Sequence, residues 1–206
     1  DENSSFYMSL ENQKIQGIVP GDKSERTGAR LSATREYDKL TAGFTASYTQ
    51  ANYDRTSSDF YNDVINQPAH LPLSDLRDWK TNRFANPNGF FNDYYNNPYF
   101  NVDNNRMKYK DANISGNLNL VYKATPWATI TNRLGIMNNS RTGKNTTGKF
   151  LYSDWAKSKS FIPAPFFRDG DGTGVYRAIT DNLGAVTDYS GTENVINNEF
   201  QIQLTK

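Results

Sequence analysis

Hydrophobic and polar residues alternate one by one along six stretches of the chain. From Thr41 to Thr49 the odd positions are Thr41, Gly43, Thr45, Ser47 and Thr49, and the even positions are Ala42, Phe44, Ala46 and Tyr48. Successive side chains of a strand point to opposite faces, so this stretch predicts a strand with one small polar face and one apolar face. The pattern returns with Ala112, Ile114, Gly116, Leu118, Leu120 and Tyr122 against Asn113, Ser115, Asn117 and Asn119. It appears again with Ile130, Leu134 and Ile136 against Thr129, Thr131 and Arg133, and with Phe200, Ile202 and Leu204 against Glu199, Gln201 and Gln203. Near the start, Phe6, Met8 and Leu10 oppose Tyr7, Ser9 and Glu11, and a weaker set places Ala29, Leu31 and Ala33 against Arg30, Ser32 and Thr34. Six strands are therefore expected, near 5–14, 26–36, 40–53, 109–123, 128–140 and 194–205.

The connections alternate too. Tyr37-Asp38-Lys39-Leu40 and Ala124-Thr125-Pro126-Trp127 are short, and Pro126 cannot donate to a ladder, so it marks a turn. Between Gly17 and Glu25, Pro20-Gly21-Asp22 is a turn signal. The other two connections, 54–108 and 141–192, are long, and structureless connections of that length are usually functional. Short turns at one end and long loops at the other are the rhythm of an up-and-down outer-membrane barrel. Aromatic residues stand where interface girdles belong, with Tyr37, Tyr122 and Trp127 at the short turns and Tyr48 and Tyr53 at the far end.

Composition narrows the choice. Hydrophobic residues make up 36% of the 206 residues, yet there are 13 Tyr, 12 Phe and 3 Trp, which argues against disorder. With 23 basic and 22 acidic residues the net charge is +1, so no field of one sign points to nucleic acid. The absence of cysteine excludes disulfides and thiol nucleophiles. No apolar run reaches the roughly 18 residues of a membrane helix, a test that barrels do not enter. The fold class expected is all-β, an antiparallel up-and-down outer-membrane β-barrel segment of about six strands with long extracellular loops. A soluble, secreted β-sandwich that binds glycans is the alternative, since its sheets alternate in the same way. Two features favour the barrel. The polar faces are mostly Asn, Thr, Ser, Gln and Gly rather than protective Lys and Glu, and 41–49 is apolar on one face yet poor in large core residues.

Candidate chemistry lies in the long loops. A short helix is expected at Ser58–Ile65, capped by Ser57 or Ser58 and ended by Pro68, followed by packing from Leu71, Leu73 and Leu76. In the run from Asn88 to Phe100, the aromatic residues Phe90, Phe91, Tyr94, Tyr95, Tyr99 and Phe100 are interleaved with Asn and Asp. They are the candidate substrate contacts, stacking on sugar faces while amides bond hydroxyls, although packing of the loop on itself is favoured for most of them. Asp169-Gly170-Asp171-Gly172-Thr173-Gly174 resembles the start of a calcium loop, but Thr180 stands where the bidentate Glu belongs. A Gly-rich polar turn is preferred, with Asp169 and Asp171 as weak calcium candidates and no other cofactor expected. His70 is the sole histidine, which leaves no multi-histidine metal cluster. No carboxylate pair and no phosphate-binding motif is singled out, so an enzyme is not expected, and a glycan hydrolase ranks last.

Several stretches also resemble the SusC/RagA-type TonB-dependent transporters. They are Phe6-Tyr7-Met8-Ser9-Leu10-Glu11-Asn12-Gln13 leading to Gly17-Ile18-Val19-Pro20; Asp38 to Tyr48; Asn88 to Tyr99; and Asn117-Leu118-Asn119-Leu120-Val121-Tyr122-Lys123 up to Trp127. The likeness covers roughly residues 5–140. It implies a wall segment of a barrel of about 22 strands with a plugged lumen. It further implies import of an oligosaccharide or peptide through the bacterial outer membrane, with a SusD-like surface lipoprotein and the TonB complex as partners. No plug domain or TonB-contacting segment is found, so the chain is expected to be an excerpt of a longer polypeptide. Asn117, Asn119, Thr129 and Arg133 are then expected to face the lumen.

Overall fold

The computed structural model describes residues 3–88, 97–152 and 181–205. It is all-β, with six antiparallel strands lying in chain order in one sheet. They are β1 (Ser4–Gln16), β2 (Lys23–Tyr37), β3 (Leu40–Thr56), β4 (Arg106–Thr125), β5 (Ala128–Thr147) and β6 (Ala185–Leu204). Each strand pairs with the next, so the topology is up-and-down. β1 and β6 are the edges, and among the described residues no ladder joins them.

Register follows from the turns. Asp38 and Lys39 alone separate β2 from β3, with Asp38 at φ 39°, and Pro126 and Trp127 alone separate β4 from β5. With these two hairpins fixed, Phe44 pairs with Ala33 and Leu118, and Leu118 with Leu134. Direct partners share a face, so the alternation of each strand adds up across the sheet. One face carries Phe6, Met8, Leu10, Leu31, Phe44, Tyr48, Ile114, Leu118, Leu134, Ile136, Ile196 and Phe200. These side chains are not covered: Phe6 is 70% exposed and Phe200 64%. The opposite face is predominantly polar on all six strands, with Val121, Met137 and Val195 among its few apolar members. Two asparagine pairs interrupt the apolar face, Asn132 donating to Asn198 at 2.8 Å and Asn138 to Asn194 at 2.5 Å.

The strands outrun the sequence pattern. β5 continues to Thr147 and β6 begins at Ala185, so the long connection expected over 141–192 shrinks to 148–184. The other, expected over 54–108, is 57–105. The latter holds α1 (Phe60–Ile65), a 3₁₀ turn (Leu73–Leu76) and α2 (Pro98–Asn104). The cap of α1 is Asp59 rather than Ser57 or Ser58, its carboxylate accepting from the Asn62 amide.

Among the described residues, most of the buried core belongs to this connection rather than to the sheet, with Phe150 added from the other long connection and Ala51 from β3. Phe100, 4% exposed, meets Trp79 edge-on at 5.0 Å and Phe150 at 5.7 Å between ring centres. Asn97 is fully buried and uses its whole amide. Its Nδ2 donates to the Leu76 and Ala85 carbonyls at 2.7 Å each, and its Oδ1 accepts from the Tyr99 and Phe100 amides. Arg106, at the base of β4, bonds Asp54 at 2.9 Å, Asp22 at 2.9 Å, the Gly21 carbonyl at 2.9 Å and the Val102 carbonyl at 3.1 Å. One guanidinium thus gathers the β1–β2 turn, the end of β3 and α2.

Candidate functional site

The polar face is where side chains of complementary chemistry converge. Ladder partners Tyr53, Tyr109, Gly143 and Tyr189 form one row across β3, β4, β5 and β6 near the long-loop end. Tyr53 and Tyr109 stack with ring centres 4.4 Å apart and planes 16° from parallel. Arg55 and Arg141 stand 5.1 Å and 5.2 Å from the centre of the Tyr109 ring. Gly143 permits the fourth position of the row. A Cβ there would lie 2.3 Å from the Tyr189 ring, so Tyr189 occupies space that any other residue would fill.

Toward the short turns, the next rows are Ala51, Asp111, Arg141 and Gly191, then Thr49, Asn113, Asn139 and Glu193. Arg141 grips Asp111 in a fork, Nε to Oδ1 at 2.6 Å and Nη2 to Oδ2 at 2.7 Å. Asn113 donates to Asn139, which donates to Glu193 at 3.1 Å, so amides and carboxylate form a chain across three strands. Because Ala51 is small and Gly191 has no side chain, these groups line a depression of about 570 Å³ with Thr49 at its side. Rigid aromatic rings beside planar amides and carboxylates suit a polyhydroxylated or peptidic ligand, which offers apolar faces and many hydrogen-bonding edges.

The four residues expected to face a lumen all lie on this polar face. Asn117 opposes Thr45 and Gly135, Asn119 opposes Gly43 and Arg133, and Thr129 opposes Lys123 and Gln203. Arg133 donates to both oxygens of Glu199 at 3.1 and 3.2 Å. Tyr48 and Tyr53, read together as one girdle, stand on opposite faces: Tyr48 beside Ile114 on the apolar side, Tyr53 beside Tyr109 on the polar one. They are an odd number of positions apart, and a strand alternates with period two.

Of the aromatic loop candidates, Phe100 takes the packing role. Tyr99 is partly exposed, with the Arg77 guanidinium 5.8 Å from its ring centre. Phe90, Phe91, Tyr94 and Tyr95 lie outside the described residues, as do Asp169 and Asp171. Among the described residues no group of three or more acidic or histidine side chains is placed to hold a metal, and His70 is exposed. In the loop, Asp63 accepts from Asn101 at 2.8 Å, and partial burial pushes its carboxyl above the usual carboxylate range.

The tyrosine row and the depression beneath it were not among the sequence candidates. Tyr109 and Tyr189 are odd-numbered members of strands whose odd positions are polar, and that was the available signal. It becomes useful only once register places them beside Tyr53. No protein-family model matches the chain, and neither does any curated protein.

Proposed function

We propose that this chain supplies wall and extracellular loops to an outer-membrane barrel that imports an oligosaccharide or peptide nutrient. The observation that carries the reading is the division of the sheet into two faces, one apolar and largely exposed, the other predominantly polar on all six strands. On β3, β4 and β6 the apolar belt runs Leu40 to Tyr48, Ile114 to Tyr122 and Ile196 to Leu204. Each run is roughly 27 Å along the strand at about 3.4 Å per residue. At a barrel tilt of about 40° that is roughly 20 Å of height, close to the apolar band of about 25 Å that outer-membrane barrels show. Tyr37 and Tyr122, both flanking Leu40 at the short-turn edge of this belt, stand where an aromatic girdle belongs.

In this reading the polar face lines a water-filled lumen and the long connections form the outer vestibule. A substrate descending from the loops meets the Tyr53–Tyr109–Tyr189 row first, then the Asp111, Asn113, Asn139 and Glu193 groups. Exchangeable hydrogen bonds along the wall hold it without trapping it, and no covalent step is required of the chain. The resemblance to SusC/RagA transporters supports the narrower part: a SusD-like lipoprotein over the vestibule and TonB as the source of energy.

Membrane fractionation and uptake test this together. The protein should appear in the outer-membrane fraction and need detergent for extraction. Cells lacking it should lose energy-dependent uptake of a labelled oligosaccharide or peptide. A protein that is monodisperse in buffer without detergent would point instead to the glycan-binding sandwich.

A further inference from the structure

On the apolar face, the rows beyond the belt toward the long loops turn basic. Ala112 is followed along β4 by Lys110 and Lys108, and Lys108 is the direct ladder partner of Lys144 on β5. Like charges placed directly opposite destabilise a sheet. Lys108 and Lys110 are two residues apart on one strand, about 7 Å on the same side. The neighbouring acids leave the cluster positive. Asp54 is held by Arg106 at 2.8 Å and stands 3.7 Å from the Lys108 ammonium, and Asp188 pairs with Lys144 at 3.4 Å. Among the described residues no carboxylate lies within ion-pair reach of Lys110. The three lysines, with Asn52, Thr142 and the Asp188 carboxylate that pairs with Lys144, line a shallow depression of about 440 Å³.

We propose that this triangle of Lys108, Lys110 and Lys144 binds the phosphate of a phosphorylated lipid whose acyl chains lie along the apolar belt. The proposal rests on the membrane-barrel reading above and adds a lipid-selective site to it. A dianionic phosphate relieves the repulsion between Lys108 and Lys144 and offers several oxygens to ammonium, amide and hydroxyl donors. The geometry selects a lipid over free phosphate. Lys110 is four residues from Ile114, about 13 Å along the strand and roughly 10 Å in height at barrel tilt. The headgroup layer extends about 5–8 Å beyond the hydrocarbon core on each side, and a lysine stem can reach down into it. One molecule can therefore touch both the lysines and the belt, which soluble phosphate cannot.

The test is retention of lipid by the purified protein in phosphatidylcholine nanodiscs doped with diphosphorylated lipid A or its dephosphorylated counterpart. Native mass spectrometry counts the bound lipids. The wild type should retain the phosphorylated form at least tenfold more. Lys108→Gln, Lys110→Gln and Lys144→Gln combined should bring the two lipids near parity, and the corresponding arginine variant should keep the preference. Equal retention by the wild type, or a preference untouched by the glutamine variant, overturns the site. Loss of the bound lipid to millimolar inorganic phosphate overturns the choice of a lipid ligand. Failure to insert into either disc would instead reject the barrel reading on which the site depends.

Discussion

Arg106 and Asn97 are single residues on which whole connections depend. Arg106 has 10% of its side chain exposed and answers two carboxylates, Asp22 and Asp54, that are about one-fifth exposed. Arg106→Met leaves Asp22 without its cation and Asp54 with only the exposed Lys108 ammonium 3.7 Å away, a loss of the kind that costs about 3–5 kcal/mol when a buried pair is broken. Faster amide exchange across 17–22 and α2, with the sheet protected, is the expected signature. Asn97→Ala removes the donor for two buried carbonyls and the acceptor for two amides, and should cost about 2–3 kcal/mol in the local opening of the same loop. Asp63 carries a pH dependence. Its folded pKa is raised, so the folded loop binds the proton more tightly than the unfolded chain does. That contribution is complete below the unfolded value and is lost as pH rises through the folded one. Protection in α1 and α2, taken relative to the intrinsic exchange rate at each pH, should therefore be greater at pH 3 than at pH 7. Asp63→Asn, which keeps an acceptor for Asn101, should abolish that difference. None of these partnerships is legible in the sequence. Arg106 lies 84 residues from Asp22 and 52 from Asp54, and local patterning carries no information about such pairs.

At the scale of elements, alternation revealed the strands where their two faces meet different surroundings. Six strands, their order and the face of each named residue follow from it. The strand ends do not. Residues 141–147 are polar on both faces and 185–193 show no regular alternation, so the period vanishes although the β5–β6 ladder continues from Ser140–Thr192 to Thr147–Ala185. Beyond the apolar belt nothing distinguishes one side chain direction from the other, and only cross-strand hydrogen bonds hold the extension. Two glycines in this polar-faced region give contrasting predictions. Gly143→Ala must displace the Tyr189 ring and should cost about 1–2 kcal/mol, in the range of overpacking. Gly191→Ala meets nothing within 4 Å and should change stability by less than about 0.5 kcal/mol. Thermal unfolding of the two variants in detergent separates them. A larger side chain at Gly191 would fill the depression beside Asp111 and Glu193, and should weaken substrate binding without weakening the fold.

For the molecule as a whole, the buried core and the apolar surface of the sheet lie apart. Burial is concentrated around Phe100, Val102, Leu76 and Phe150 at one end of the sheet, while the widest apolar surface, from Phe6 to Leu204, is exposed. Among the described residues β1 and β6 are unpaired edges, and an exposed edge of 20 residues such as β6 is a template for aggregation in water. A bilayer against the apolar face and further strands at the edges would satisfy both. The direct test is single-cysteine labelling at Asn117 and Leu118, neighbours on β4 that point to opposite faces, in the protein embedded in its native membrane. A membrane-impermeant, water-soluble maleimide should label Asn117→Cys readily and Leu118→Cys at least tenfold more slowly, with lipid-soluble reagents reversing the order. Rapid aqueous labelling at 118 with protection at 117 would contradict the assignment of lumen and lipid faces, and with it the transporter reading.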